Sequence, residues 1–298
     1  MEKPVRLKKG DKVVIISTAR KISEKEISPA VKVLESWDLV VFYGDNLFNE
    51  AAQFSGSTRQ RTLDLQNALD DKSVKAIICA RGGYGTVKII DELDFSKFKI
   101  HPKWIVGYSD VTVLHNHINQ KFKIKTLHAT MPINYTSNTN ESLESLRMAL
   151  FGESITYNFE EHQLNRFGKG EGEVVGGNLS IVYSLTGTES QIDTTGKILF
   201  LEDLDEYIYH IDRMMMNLDR AGILSDLSGL VVGGMSDMND NAIPYGKTAK
   251  EIIIETVAGY KYPVCFNFPA GHIDDNRTLI MGAKASLSVG ESCSLKFL

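Results

Sequence analysis

The stretch KWIVGYSDVT (103–112) runs from an apolar segment, Trp104, Ile105 and Val106, through Gly107-Tyr108 to a serine, and a helical pattern, DVTVLHNHINQKF (110–122), begins at once. A short run that is apolar throughout reads as a strand covered on both faces. Working outward, the same strand-then-helix unit recurs. Toward the N-terminus, strands at DKVVIIS (11–17), LVVFYG (39–44) and VKAIICA (74–80) alternate with three helical segments. These are SPAVKVLESW (28–37), opened by Ser28 with Pro29 at its first position, STRQRTLDLQNALDD (57–71), and TVKIIDEL (86–93). IKTLHAT (124–130) supplies a fifth strand. This alternation predicts an α/β open sheet of parallel strands with helices on both faces.

After the helix ESLESLRMALFG (141–152) the texture changes. Residues 153–173 are polar and Gly-containing without clear periodicity, and read as a linker or lid. Beyond them come GGNLS (176–180), a strand KILFLED (197–203), a helix YIYHIDRMMMNLDRAG (207–222) and a strand LSGLVVGG (227–234). A helix (246–259), a strand PVCFNF (263–268) and a hairpin-like pair, RTLIMGAKASLSVG (277–290) with SCSLKFL (292–298), follow. The expected organisation is a first domain over 1–152, the linker over 153–173, and a smaller mixed α+β domain over 174–298.

The chain has 298 residues, 43% hydrophobic and 24% charged, as in ordinary globular domains. Its net charge of -5, from 33 basic and 38 acidic residues, gives no electrostatic reason to expect nucleic acid. Cys79, Cys265 and Cys293 lack CxxC spacing and suggest buried thiols in a reducing compartment. With no signal-peptide pattern and no apolar run of membrane-spanning length, a cytoplasmic protein without a membrane partner is expected.

Ligands of open α/β sheets bind outside the carboxyl ends of the strands. Two such ends stand out: ARGGYGT (80–86) and GYSDVT (107–112). Ser109 reads either as a helix cap or as a nucleophile on a strand-to-helix turn, although the second glycine of G-x-S-x-G is missing. The run Arg81-Gly82-Gly83-Tyr84-Gly85 fits neither nucleotide-binding spacing, which disfavours a nicotinamide-dependent oxidoreductase. Its bare backbone could instead complete an oxyanion hole with the amide of Asp110. Arg81 is a candidate for a substrate carboxylate, or else an ion-pair partner. Among seven histidines, His272 in FPAGHIDDN (268–276) follows a strand in a loop of the kind that collects catalytic groups, with His128 at the end of strand five as its rival. His115 and His117 face different ways on a helix and make a poor metal pair. A histidine base needs a carboxylate. Glu202, ending the apolar run Ile198–Leu201, is the first choice and Glu206 the second, while Asp203, Asp205 and Glu206 also suit a helix start.

The ordered blocks ARGGYGT, VGYSDVT, GGNLS, LFLEDLDE with IDRMM, and FPAGHIDDN make the chain resemble the LD-carboxypeptidases, a serine-peptidase family that includes muramoyltetrapeptide carboxypeptidase and the microcin C immunity peptidases. The resemblance implies a Rossmann-like N-terminal domain with a smaller C-terminal domain. It further implies a triad of Ser109, Glu202 and His272, contributed by both domains, and oxyanion donors at Gly83 and Asp110. It implies no cofactor and no metal, a homodimer, and a muropeptide substrate cut before its terminal D-Ala. Whether the diamino position is meso-diaminopimelate or lysine stays open. An immunity-type peptidase acting on aminoacyl-nucleotides is the alternative; the linker carries Phe159 and Phe167 but no tryptophan to stack a base. A non-catalytic peptide or sugar binder is the alternative from another class. A glutamine-amidotransferase-like thiol enzyme lacks its cysteine at the nucleophile turn. The run Met214-Met215-Met216 is a possible dimer contact, though methionines in a helix are more often core.

Overall fold

The computed structural model describes all 298 residues. Strands β1 (Lys12–Ile16), β2 (Val40–Tyr43), β3 (Val74–Cys79), β4 (Trp104–Gly107) and β5 (Thr126–His128) alternate with helices α1 (Glu24–Ser36), α2 (Thr58–Asp70), α3 (Ser96–Ile100) and α4 (Thr112–Phe122). Helix α5 (Asn140–Phe151) leads into β6 (Thr156–Phe159) and β7 (Gly168–Asn178). There follow α6 (Leu179–Ser184), β8 (Ile198–Leu204), α7 (Ile208–Arg220), β9 (Gly229–Ser236), α8 (Ala249–Thr256), β10 (Val264–Cys265), β11 (Leu279–Met281), β12 (Lys284–Val289) and β13 (Cys293–Phe297).

The first five strands form the expected parallel sheet, in the order β5-β4-β3-β1-β2. Strands β3 and β4 are buried almost throughout because helices cover both faces, whereas β2 at the edge is largely exposed. The second sheet is mixed, ordered β10-β9-β8-β7-β12-β13-β6, with parallel pairing from β10 to β7 and antiparallel pairing beyond. One apolar cluster runs through both sheets, joining Val106 and Leu127 of the first to Phe200 of the second and to Phe268 just after β10.

Several local expectations are corrected. Helix α1 starts five residues before Pro29: Ser23 caps it and Glu26 completes a reciprocal capping box, so Pro29 lies inside the helix. That S-x-x-E signature outweighs proline's preference for a first helical position. Segment 86–93 forms two 3-10 turns rather than a helix. Residues 153–173 are not an irregular linker: they hold β6, at the edge of the second sheet, and the first half of β7. The glycines that hid β7 are there because the next strand or loop crosses close by. A Cβ at Gly170 would lie 1.9 Å from the Ser228 carbonyl oxygen, and one at Gly172 would lie 2.5 Å from that of Gly196. Segment 277–290 divides: β12 pairs with β13 as expected, but β11 joins the first sheet, antiparallel to β5. The C-terminal part of the chain therefore finishes the N-terminal sheet.

Candidate active site

Ser109 stands just past β4 with φ at +62°, the left-handed region that a serine adopts only under constraint, at a cost of about 1–3 kcal/mol. Its hydroxyl caps nothing: the 3-10 turn it opens and helix α4 both lack a side-chain cap. Two glycines make room for this turn. A Cβ on Gly82 would sit 2.8 Å from Ser109 Oγ, and one on Gly107 would sit 2.8 Å from Val111 Cγ2. The amides of Gly83 and Asp110 donate to no other group of the chain. The Asp110 carboxylate is occupied elsewhere. Its Oδ2 accepts from the Thr86 amide at 2.8 Å and the Thr86 hydroxyl at 2.7 Å, tying the two strand-end loops together.

The second sheet is pressed against this turn through β7. A Cβ at Gly177, where φ is +134°, would lie 2.5 Å from Thr112 Oγ1, and the Asn178 amide donates to that same oxygen at 3.1 Å. Asn178 also caps α6 and donates through Nδ2 to Asp203 Oδ1 at 2.9 Å. The GGNLS block thus joins the two sheets behind Ser109.

Glu202 pairs with Asn178 across the β7–β8 ladder, and the β8–β9 register shifts around it, between Leu201 and Asp203. Its side chain is fully buried, and Oε2 accepts from His272 twice, from ring Nδ1 at 2.7 Å and from the backbone amide at 3.2 Å. Gly271 permits this approach: φ is +106°, and a Cβ there would be 2.7 Å from Glu202 Oε2. Of the two carboxylates open on sequence, Glu202 is the partner of His272. Glu206 instead bonds His210 Nδ1 at 2.7 Å, one helical turn on.

Burial alone would raise the Glu202 carboxyl, but His272 together with His128 holds it below the usual glutamate range. Burial likewise opposes protonation of His272, yet the Glu202 charge and hydrogen bond lift it above an ordinary histidine. With Nδ1–H given to Glu202, Nε2 is the free base. Ser109 and His272 line one cavity of about 530 Å³ without a hydrogen bond between them, and the Tyr108 ring packs 4.7 Å from the His272 ring. Catalytic hydrogen bonds that are open in the free enzyme commonly close when substrate binds.

The cavity is polarised. Its lining brings together Arg20 and Arg81, beside Gly82 and Gly83, with the acidic Asp203, Asp205 and Glu206. Arg81 donates through Nη1 to the Lys21 carbonyl oxygen at 3.1 Å, and Arg20 is exposed. Sequence reading missed Arg20, although it ends ISTAR (16–20), a strand end like the two singled out. Asp203 was assigned to a helix start. It is instead a buried strand residue taking N–H donors from Asn178, Ser180 and Leu204, and burial and the neighbouring Glu202 charge push it up to about 7. His115 bonds the Gly107 carbonyl oxygen at 2.8 Å and His117 the Ser190 hydroxyl at 2.9 Å, whereas His128, the rival base, is buried behind the cavity wall with Nε2 3.9 Å from Glu202 Oε1.

A strained serine beside unspent amides, facing an imidazole held by a buried glutamate, can carry out acyl transfer through serine. The class that fold and cavity define is a serine-type hydrolase on a two-sheet α/β scaffold. Comparison with known proteins makes it specific. Residues 13–129 match the family model of the LD-carboxypeptidase N-terminal domain, and residues 171–287 match that of the C-terminal domain. The chain belongs to the LD-carboxypeptidase family and is a serine-type LD-carboxypeptidase.

A probable murein peptide carboxypeptidase of Bacillus subtilis is 36% identical, covering 98% of this chain and 93% of that protein. A murein tetrapeptide carboxypeptidase of Pseudomonas aeruginosa is 25% identical, covering 93% of this chain and 92% of that protein. The crystal structure of muramoyltetrapeptide carboxypeptidase from Oxalobacter formigenes superposes with a TM-score of 0.87 at 26% identity, over 96% of this chain and 98% of that one. The microcin C7 self-immunity protein, in complex with aspartyl sulfamoyl adenosine, shares the fold with a TM-score of 0.88 at 21% identity, over 99% and 98% of the two chains.

Proposed function

We propose that this enzyme removes the terminal D-Ala from muropeptide tetrapeptides by cleaving the L,D-peptide bond before it, with Ser109, His272 and Glu202 as its triad. The observation that carries the reading is the 2.7 Å bond from His272 Nδ1 to the fully buried Glu202, at the wall of the cavity that Ser109 also lines. The names of the Bacillus and Pseudomonas relatives support the substrate class.

Ser109 Oγ attacks the carbonyl carbon as His272 Nε2 takes its proton, and the Gly83 and Asp110 amides receive the oxyanion. The tetrahedral intermediate collapses by breaking the C–N bond, and His272 protonates the departing D-Ala amine. Water then attacks the acyl-serine, losing its proton to His272, and Ser109 is regenerated. Glu202 holds the imidazole in the tautomer that leaves Nε2 free. Arg20 and Arg81 receive the terminal carboxylate, which confines the enzyme to chain ends. In this reading the enzyme is a cytoplasmic homodimer that acts in peptidoglycan recycling and requires no cofactor.

The test is a substrate panel, with product release followed by mass spectrometry. An L,D-tetrapeptide ending in D-Ala should be shortened by one residue, and its diastereomer ending in L-Ala should be left intact. Cleavage of an aminoacyl sulfamoyl nucleotide with no release of D-Ala would replace the muropeptide reading by the immunity-type one.

A further inference from the structure

We propose that His128 is a positioning residue of the triad, holding the carboxylate oxygen of Glu202 that His272 does not use. The inference rests on the triad of the proposed function and adds a fourth member to it.

Glu202 presents two oxygens, and only Oε2 is engaged by His272. Oε1 is buried and has no hydrogen-bond partner. Facing it, 3.9 Å away, is Nε2 of His128, a side chain that is also fully buried and whose two ring nitrogens both lack partners. Buried polar atoms are nearly always paired, and a carboxylate oxygen left bare in the interior is costly. A bare acceptor and a bare donor-capable nitrogen turned toward each other are the two halves of one hydrogen bond. A shift of about 1 Å in either side chain brings the pair to hydrogen-bond distance, and no substrate is needed for it.

The position of His128 in the fold explains why it can do this. It ends β5 in the first sheet, paired to Gly107 on one side and Leu279 on the other, while Glu202 belongs to the second sheet. Its ring is held edge-on by Phe200 at 5.0 Å and Tyr108 at 5.8 Å, so its orientation is set by packing. The bond would therefore tie the orientation of Glu202 to the sheet that carries Ser109, linking nucleophile and base through a second route besides Asn178 and Thr112. His115 lies behind it with ring centroids 6.3 Å apart, and its Nε2–H is already given to the Gly107 carbonyl oxygen.

The groups beside the Glu202–His272 pair are Asp203 on β8, His128 on β5 and Tyr108 after β4, with His115 on α4 behind His128. A donor on Oε1 disperses the charge of Glu202. Taking it away concentrates that charge on Oε2, stabilises the His272 imidazolium, and moves the acid limb of kcat/KM to higher pH.

Two variants and one spectrum test this. His128→Gln keeps an N–H near the Nε2 position, and His128→Phe fits the aromatic surroundings but has no donor. The Gln variant should retain most of kcat and the wild-type acid limb. The Phe variant should lose about 10- to 100-fold in kcat, the loss typical of groups that orient catalytic ligands, with KM little changed and the limb shifted upward. Equal behaviour of the two variants would overturn the proposal by reducing His128 to packing. Independently of any substrate, NMR of the protein labelled with nitrogen-15 at histidine should find the proton of the wild-type His128 ring on Nε2, with a shift that moves in Glu202→Gln. A proton on Nδ1 alone, or a signal indifferent to Glu202→Gln, would also overturn it. The spectrum decides the matter if the Phe variant does not fold, and it still reads the bond if the muropeptide assignment fails.

Discussion

Replacing Glu202 with glutamine keeps the size of the side chain and removes its charge, so the change isolates what the charge does. In the wild type a buried oxygen accepts from His272 Nδ1 at 2.7 Å. In the proposed mechanism His272 takes the serine proton, and a full positive charge then forms on a ring hydrogen-bonded to the carboxylate, with charge centres about 4 Å apart. At an effective dielectric constant of about 20, two unit charges at that separation attract by about 4 kcal/mol. At 1.36 kcal/mol per factor of ten, kcat should fall about 10³-fold, and toward about 10⁴-fold if the amide flips and turns its NH₂ to the ring, fixing the wrong tautomer. The pH dependence has a definite sign. Burial pulls His272 toward the neutral form and Glu202 outweighs it, so the wild-type group titrates above an ordinary histidine. Without the charge only burial remains, and the acid limb of kcat/KM should move to lower pH. The assay is D-Ala release from an L,D-tetrapeptide across the range in which histidine titrates, alongside circular dichroism to establish folding. A folded Glu202→Gln enzyme with wild-type kcat and an unmoved limb would refute the assignment of Glu202 as the residue that charges and orients His272.

The crowding around the serine gives two further expectations. Gly82→Ala places a methyl 2.8 Å from Ser109 Oγ, so kcat should drop by tenfold or more, with a stability loss of about 1–3 kcal/mol in denaturant unfolding. Gly177→Ala combines a positive φ with a contact of 2.5 Å to Thr112 Oγ1, where the two sheets meet. It should destabilise by about 2–4 kcal/mol, seen as a lowered midpoint of urea unfolding. Arg20→Ala, in the cavity lining but outside the triad, should raise KM for a free terminal carboxylate by about tenfold and leave kcat nearly unchanged, as initial-rate kinetics would read directly.

The parts of the molecule legible from sequence are those in which local pattern and tertiary role coincide. Strands β1, β3 and β4 are apolar because both faces are covered, and Ser109 is conspicuous because it follows the end of such a strand and opens the next turn. Glu202 could be singled out on the same ground, since a charge ending an apolar strand needs a partner; its contact with His272, 70 residues away, could not be read from spacing. What was illegible depends on distant neighbours. The three residues of β11 carry no sign that they will cross to the first sheet, and the glycines of β7 look like linker because the backbones that exclude their side chains lie elsewhere in the chain. Asp203 resembled a helix-start acid until Asn178 and Ser180 were brought beside it. Arg20 also lies past a strand end, in ISTAR, but without glycines beside it nothing marked that end, and only the fold brings it to the cavity.

The central claim is that Ser109, held at a φ of +62° over the end of the first sheet, attacks the peptide carbonyl. The most direct measurement compares D-Ala release by the wild type with that by Ser109→Ala, on preparations matched for folding. The wild type should release D-Ala and the variant should lose about 10⁴- to 10⁶-fold, with oxyanion donors and binding supplying the rate that remains. Undiminished release by a folded Ser109→Ala enzyme would contradict it.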